Sequence, residues 1–212
     1  SFGGLMASGL LNVVGEHMNG LQMAGIANIT ASKLNGVQIA LCNYATQARG
    51  LQIGLVNYYK EDMKGFQLGL VNANPDTRVQ MMVYGGNATP ANIGVRFKNQ
   101  LFYTILGIGS MYQGLNDKFS ASASYRAGLS FTLYKGLSIS GDLGYQHIEA
   151  FDNKDEVIPK RLYALQARAN LEYQFTRKFG IFATGGYGLT RFYNKSSNYD
   201  KGAIIEAGIV LF

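Results

Sequence analysis

The 212-residue chain is 47% hydrophobic and only 15% charged, with 27 glycines, 14 tyrosines, 12 phenylalanines and no tryptophan. Charge this sparse does not cover an ordinary soluble surface, apolar content this high excludes disorder, and no run of about 20 apolar residues marks a membrane helix. The net charge of +6 is spread singly, with no basic cluster or helix, which argues against nucleic acid as a partner and fits anionic lipid headgroups, lipopolysaccharide included.

Residues 1–11 (SFGGLMASGLL) carry no basic n-region, so any export signal is expected to have been removed already. Cys42 is the single cysteine, which rules out an intramolecular disulfide; its simplest reading is a small apolar strand residue. The first third of the chain is repetitive. Residues 4–12 (GLMASGLLN), 20–28 (GLQMAGIAN), 36–43 (GVQIALCN), 50–57 (GLQIGLVN) and 65–72 (GFQLGLVN) each run from glycine to asparagine, with first glycines 16, 16, 14 and 15 residues apart. Charges fall in the links: Glu16, Lys33, Arg49, Lys60, Glu61, Asp62 and Lys64. Each core therefore reads as an uncharged strand with a bulky face (Leu51, Ile53, Leu55) and a small face (Gln52, Gly54, Val56).

Two architectures fit these repeats. They are either further antiparallel barrel strands or the coils of a small parallel solenoid with Asn12, Asn28, Asn43, Asn57 and Asn72 in a ladder. Identical Gly, Gln and Asn columns favour stacking. The drifting spacing and the apolar surface a solenoid would expose favour the barrel, which is the preferred expectation.

Beyond residue 79 the period is two. From Phe119 to Tyr134 the odd positions are Phe, Ala, Ala, Tyr, Ala, Leu, Phe and Leu, while the even positions carry Ser, Arg, Gly, Thr and Tyr. Residues 137–145 and 162–175 alternate in the same way. Such strands are long enough to cross a bilayer, and Tyr163 at one end with Tyr173 and Phe175 at the other stand where interfacial aromatic girdles belong. The strand charges mostly share the small, polar face, the reverse of a soluble lipocalin-like barrel. Connections alternate too: tight at 98–100, 134–136 and 176–178, longer at 113–118, 149–160 and 193–202, and Pro75, Pro90 and Pro159 all fall in connections. The expected fold is thus all-β, a transmembrane antiparallel up-and-down β-barrel of about 12 strands. Residues 1–78 supply four or five strands and residues 79–212 supply eight. The alternative is an eight-stranded barrel from residue 79 preceded by a small β-solenoid.

The GLQ-x-(A)-GLVN repeats, followed by ANIGVRFKNQLFYTILGIGSMY, resemble a group of surface-repeat outer-membrane proteins common in Bacteroidota; the likeness covers roughly residues 4–112. It implies a bacterial outer-membrane location and no defined activity, so it carries over no functional residues. The ending IIEAGIVLF resembles the last strand of outer-membrane proteins, whose final aromatic residue is read by the barrel-insertion machinery, and Phe212 matches that residue. Glu206 shares the parity of Phe212, which leaves the facing of this strand open.

Candidate chemistry is thin. His147 beside Glu149 reads as an interfacial histidine at a loop base, His17 sits in a repeat link, and no Ser/His/Asp spacing marks an enzyme. Glu61/Asp62 and Asp152/Asp155/Glu156 read as solvated loop charge in preference to a calcium site, so no metal or cofactor is expected. The polar-face set Arg96, Arg126, Asp142, Arg168, Glu172 and Glu206 is the main constellation. It either lines a narrow aqueous pore, with the arginines favouring small anionic solutes, or pairs into a plug. The expected function is therefore a narrow pore for small hydrophilic solutes. The alternative is a non-conducting structural barrel, an accessory subunit alongside other outer-membrane proteins.

Overall fold

The computed structural model describes residues 1–110, 112, 115, 119–151, 161–194 and 196–212, and its regular elements are β-strands. Two units emerge, residues 1–77 and 78–212.

The first unit is a stack of parallel strands: β1 (Phe2–Ser8), β2 (Leu11–Val14), β3 (His17–Ala24), β4 (Ala27–Ile39), β5 (Cys42–Ile53), β6 (Val56–Leu68) and β7 (Val71–Ala73). Each repeat is one coil, and equivalent positions pair: Gly4 with Gly20, Gly20 with Gly36, Gly36 with Gly50, and Gly50 with Gly65. Those glycines adopt φ between +114° and +152°, a region closed to most side chains. A Cβ on Gly20, Gly36, Gly50 or Gly65 would also lie only 1.9–2.1 Å from the carbonyl oxygen of the glycine one coil earlier. The glycine column therefore marks where stacked backbones come closest.

Two amide ladders occupy one part of the interior. Asn12, Asn28, Asn43 and Asn57 each donate through Nδ2 to Oδ1 of the asparagine in the next coil, at 2.9–3.0 Å. Gln67, Gln52 and Gln38 donate through Nε2 to Oε1 of the glutamine one coil earlier, at 2.8–2.9 Å. An unpaired buried amide costs about 1–3 kcal/mol, so inside the stack a polar column requires the same residue from successive coils, and only the first coil departs, with Met6 under Gln22. That requirement is the physical origin of the repeat.

The preferred expectation of one continuous barrel of about 12 strands is thus corrected in favour of the solenoid alternative. Uneven spacing had argued for the barrel, but the coils absorb it. The glycine-to-asparagine arm shortens from nine residues (20–28) to eight (36–43), and the link from seven (29–35) to six (44–49). The turn from Met23 to Ala27 is one residue longer than the turn from Ile39 to Cys42 stacked on it, and register shifts between Thr30 and Lys33 and between Ala45 and Gln47 take up the difference in the links, as β-bulges do.

The second unit is a closed barrel of β8 (Arg78–Gly86), β9 (Ala91–Asn99), β10 (Phe102–Ser110), β11 (Ser120–Tyr134), β12 (Leu137–Ala150), β13 (Arg161–Thr176), β14 (Phe179–Phe192) and β15 (Asn198–Leu211). Chain neighbours pair antiparallel, and β15 closes the barrel on β8 from Met81–Leu211 to Gly86–Glu206. Tight turns join strands at one end; Gly136 (φ +78°) and Gln100 (φ +44°) provide the left-handed residues that two of them need. The strand ends Ser110, Ser120, Ala150, Arg161, Phe192 and Asn198 lie at the other end. Residues 193–202, expected as a loop, are half strand: Asn198 to Lys201 continue β15 against β14 with Tyr199, packed on Phe192, as their one apolar signal. The upper part of β15 extends past β8, and the Asn87 side chain covers that edge, accepting from Ile205 N at 2.9 Å and donating to Ala203 O at 2.7 Å.

Candidate functional site

Alternation decides which side chains enter the lumen. Along β13, Leu165 is 46% exposed on the outside while Gln166 is 6% exposed inside. The six expected lumen residues all point inward and are buried. They come together as three forked ion pairs, not as a lining around open space. Arg96 spans from β9 to Glu172 on β13, with Nη1–Oε2 at 2.6 Å and Nη2–Oε1 at 3.0 Å, and two of its guanidinium nitrogens also donate to Gln80 Oε1. Arg126 holds Asp142 through Nε (2.8 Å) and Nη2 (2.7 Å), and its Nη1 stands 3.6 Å from Glu206. Arg168 takes Glu206 through Nε (3.1 Å) and Nη2 (3.2 Å).

The set is balanced, three guanidinium groups against three carboxylates, as buried charge requires. Each fork also matches the planar geometry by which arginine holds a carboxylate most strongly. Residues that the sequence did not single out complete the layer. Tyr103 donates its hydroxyl to Asp142 at 2.8 Å, Asn170 donates to the same oxygen at 2.8 Å, and Thr184 donates to Asn170 at 2.6 Å. Asn170 and Gln80 are readable as polar-face positions. Tyr103 is not, because β10 carries apolar residues on both faces: Tyr103 and Ile105 inward, Ile108 outward.

Apolar clusters fill the rest of the interior. Met82, Tyr84, Tyr103, Ile105, Phe182 and Val210 pack among the ion pairs. Tyr112, Leu115, Ile148, Ala150, Leu162 and Ala164 pack toward the loop end. The void left among Arg96, Arg126, Asn170 and Glu172 is about 10 Å³, room for one water molecule at most. A larger cavity of about 440 Å³ lies at the loop end beside Asn87, Tyr112, Gln166, Thr190 and Asp200.

Outside, the pattern reverses. Val79, Ile93, Ile108, Leu129, Leu143, Leu171 and Ile205 are exposed. At the loop end Tyr163 packs with Tyr145 and Tyr193, ring centroids 6.1 and 5.1 Å apart, and His147 Nδ1 meets the Tyr193 hydroxyl at 2.6 Å. At the turn end Tyr173 meets Phe175 edge to face at 4.9 Å, and Phe175 stacks on Phe179 at 5.8 Å. Ten residues separate Tyr163 from Tyr173 along β13. At about 3.3 Å per residue and a tilt of about 40°, the two belts stand roughly 25 Å apart, the height of a bilayer's apolar band. His147 is therefore part of an aromatic belt on the outer surface.

Phe212 is exposed with φ +51°, which turns it out of the strand's alternation and removes the conflict with Glu206, whose carboxylate is inside. Cys42 lies exposed on β5. Among the described residues no cluster of His, Cys, Asp and Glu is arranged to hold a metal. Asp152, Asp155, Glu156 and Pro159 lie outside the described residues.

An apolar exterior bounded by aromatic belts around a charge-paired interior defines the class of membrane-spanning β-barrels. No protein-family profile matches the sequence, and no curated protein matches it. Among solved structures the chain is similar to the Yersinia pestis outer-membrane protein Ail in a phospholipid nanodisc, at 14% identity and a TM-score of 0.40, covering 64% of this chain and 99% of that one. It is also similar to Neisserial surface protein A (9% identity, TM-score 0.39, 63% and 93% covered) and to a de novo designed transmembrane β-barrel (13%, 0.39, 63% and 91%). The assignment of the barrel rests on its own strand pairing and surface.

Proposed function

We propose that this chain is a bacterial outer-membrane protein whose barrel does not conduct and whose task is to anchor the repeat solenoid at the membrane. The observation that carries this reading is the layer of three forked ion pairs across the lumen, with about 10 Å³ left free. Eight strands enclose an interior that side chains can fill, whereas a water path needs a wider barrel. The six charges of that layer cancel, so they leave no net charge to favour the anions expected for a pore. The cavity at the loop end is separated from the opposite end by the ion-pair layer and the apolar cluster around Phe182. We further propose Phe212 as the residue read by the insertion machinery, and a structural, non-catalytic role for the whole chain, alone or beside other outer-membrane proteins.

Solute efflux from proteoliposomes tests the proposal. Vesicles holding folded protein should retain glucose, chloride and phosphate as well as protein-free vesicles do. Release of any of them in proportion to the protein added would overturn it.

A further inference from the structure

The solenoid's cross-section changes character along its width. Near the corner that carries Glu16, Lys33, Arg49, Lys60 and Lys64, the surface is charged and the core is apolar, built from Val14, Met18, Leu34, Ala45 and Ala48. That is the arrangement of a water-soluble protein. At the opposite corner the order is inverted. The surface there is a column of Leu10, Ile26, Leu41, Leu55 and Leu70, flanked by Leu11, Val56 and Leu68, while the interior beneath is the asparagine and glutamine ladders.

No charged residue interrupts the apolar column, and an exposed aliphatic edge of this extent is uncommon on a soluble surface. Tyr44 and Tyr58 lie between the two regions, stacked at 5.8 Å with an interplanar angle of 8°. Amphipathic rings at such a boundary are characteristic of a membrane interface.

We propose that this edge of the solenoid inserts into a lipid leaflet as a monotopic element. Three residues separate Leu55 from Tyr58, so at about 3.3 Å per residue the edge would sink roughly 10 Å, the depth typical of interfacial elements. Stacking satisfies the backbone within the interior of the solenoid, as lipid demands. Polar ladders under an apolar surface repeat the inversion of the barrel, which favours lipid over a protein partner as the occupant. The inference rests on the membrane location proposed above, because the same chain continues into the barrel.

Cys42, next to Leu41 in this edge, supplies a native probe. The full protein, labelled at Cys42 with an environment-sensitive fluorophore, is reconstituted into phosphatidylcholine vesicles containing lipid with a quencher on its acyl chain. The same label at Leu165→Cys reports the barrel, and at Lys60→Cys the charged corner, both in a Cys42→Ser background. Quenching at Cys42 and Leu165→Cys but not at Lys60→Cys is the expected result. Unlabelled Cys42 in vesicles should also react at least about tenfold more slowly than Lys60→Cys with a charged maleimide, because a charged reagent is excluded from the lipid interior. Quenching at Leu165→Cys alone would overturn the insertion and leave the barrel standing, and would turn attention to a second copy of the chain as the occupant. Quenching at neither would overturn both readings.

Discussion

Removing one partner of a lumen ion pair separates a filled barrel from a hydrated one. The Arg96–Glu172 pair is the cleanest target, because Glu172 accepts both prongs of the Arg96 fork and both side chains are buried, 5% and 6% exposed. In Arg96→Met the carboxylate stays buried without its cation. Breaking a buried pair in this way costs about 3–5 kcal/mol, whereas a pair in bulk water is worth about 1 kcal/mol or less. Gln80 loses its partner as well. The double variant Arg96→Met/Glu172→Met removes both charges and should recover most of the loss, since apolar replacement of a buried pair is often neutral or stabilising. With no tryptophan in the chain, urea unfolding in detergent micelles is best followed by far-UV circular dichroism and by the mobility shift of folded barrel on gels. A single variant within about 0.5 kcal/mol of the parent would show that the lumen is wet enough to screen the pair, and would refute the filled-lumen account.

Gly36→Ala should destabilise the solenoid by more than about 1 kcal/mol, combining an unfavourable φ with a Cβ 1.9 Å from Gly20 O, while Gly15→Ala, with open space around it, should be neutral. Proteolysis at Lys33 and Arg49 reads the difference. Deleting residues 50–64 removes one coil and should leave a folded, gel-shifting barrel, because β8 to β15 close without the repeats; loss of the barrel would contradict the two-unit description. Leu165→Arg should lower the yield of inserted barrel, in line with about 2–4 kcal/mol for arginine on the lipid face. Gln166→Arg, beside the cavity of about 440 Å³ and Asp200, should be tolerated. Equal yields of the two would reverse the assignment of inside and outside.

Much of the barrel was legible because lipid on one side and packed charge on the other impose a period of two on every long strand. β11, β12 and β13 are read directly from that alternation, and the tight turns from the breaks between them. β10 was harder, since Tyr103 and Ile105 fill the lumen while Ile108 meets lipid, leaving no contrast to detect. The top of β15 offers only Tyr199 as an apolar signal, and is held by pairing to β14 and by Asn87. In the repeats the stacking signal was present in the Gly, Gln and Asn columns. Irregular spacing outweighed it because a linear sequence does not show that a bulge at a corner absorbs one residue. The apolar outer edge of the coils imitated barrel strands for a physical reason: over half its width, the solenoid has the same polar interior and apolar exterior. The six lumen residues were found by parity alone. Their pairing was not, because the partners lie up to 76 positions apart and only strand order and register decide which carboxylate faces which guanidinium.

Single-channel recording in planar bilayers tests the central claim most directly. Folded protein, verified by gel shift and inserted from either side, is predicted to give no steady conductance in 1 M potassium chloride across a range of voltages, and Arg96→Met/Glu172→Met should be equally silent. Steady openings of uniform size from the parent protein, with a reversal potential displaced by a salt gradient, would contradict the filled lumen and restore the pore.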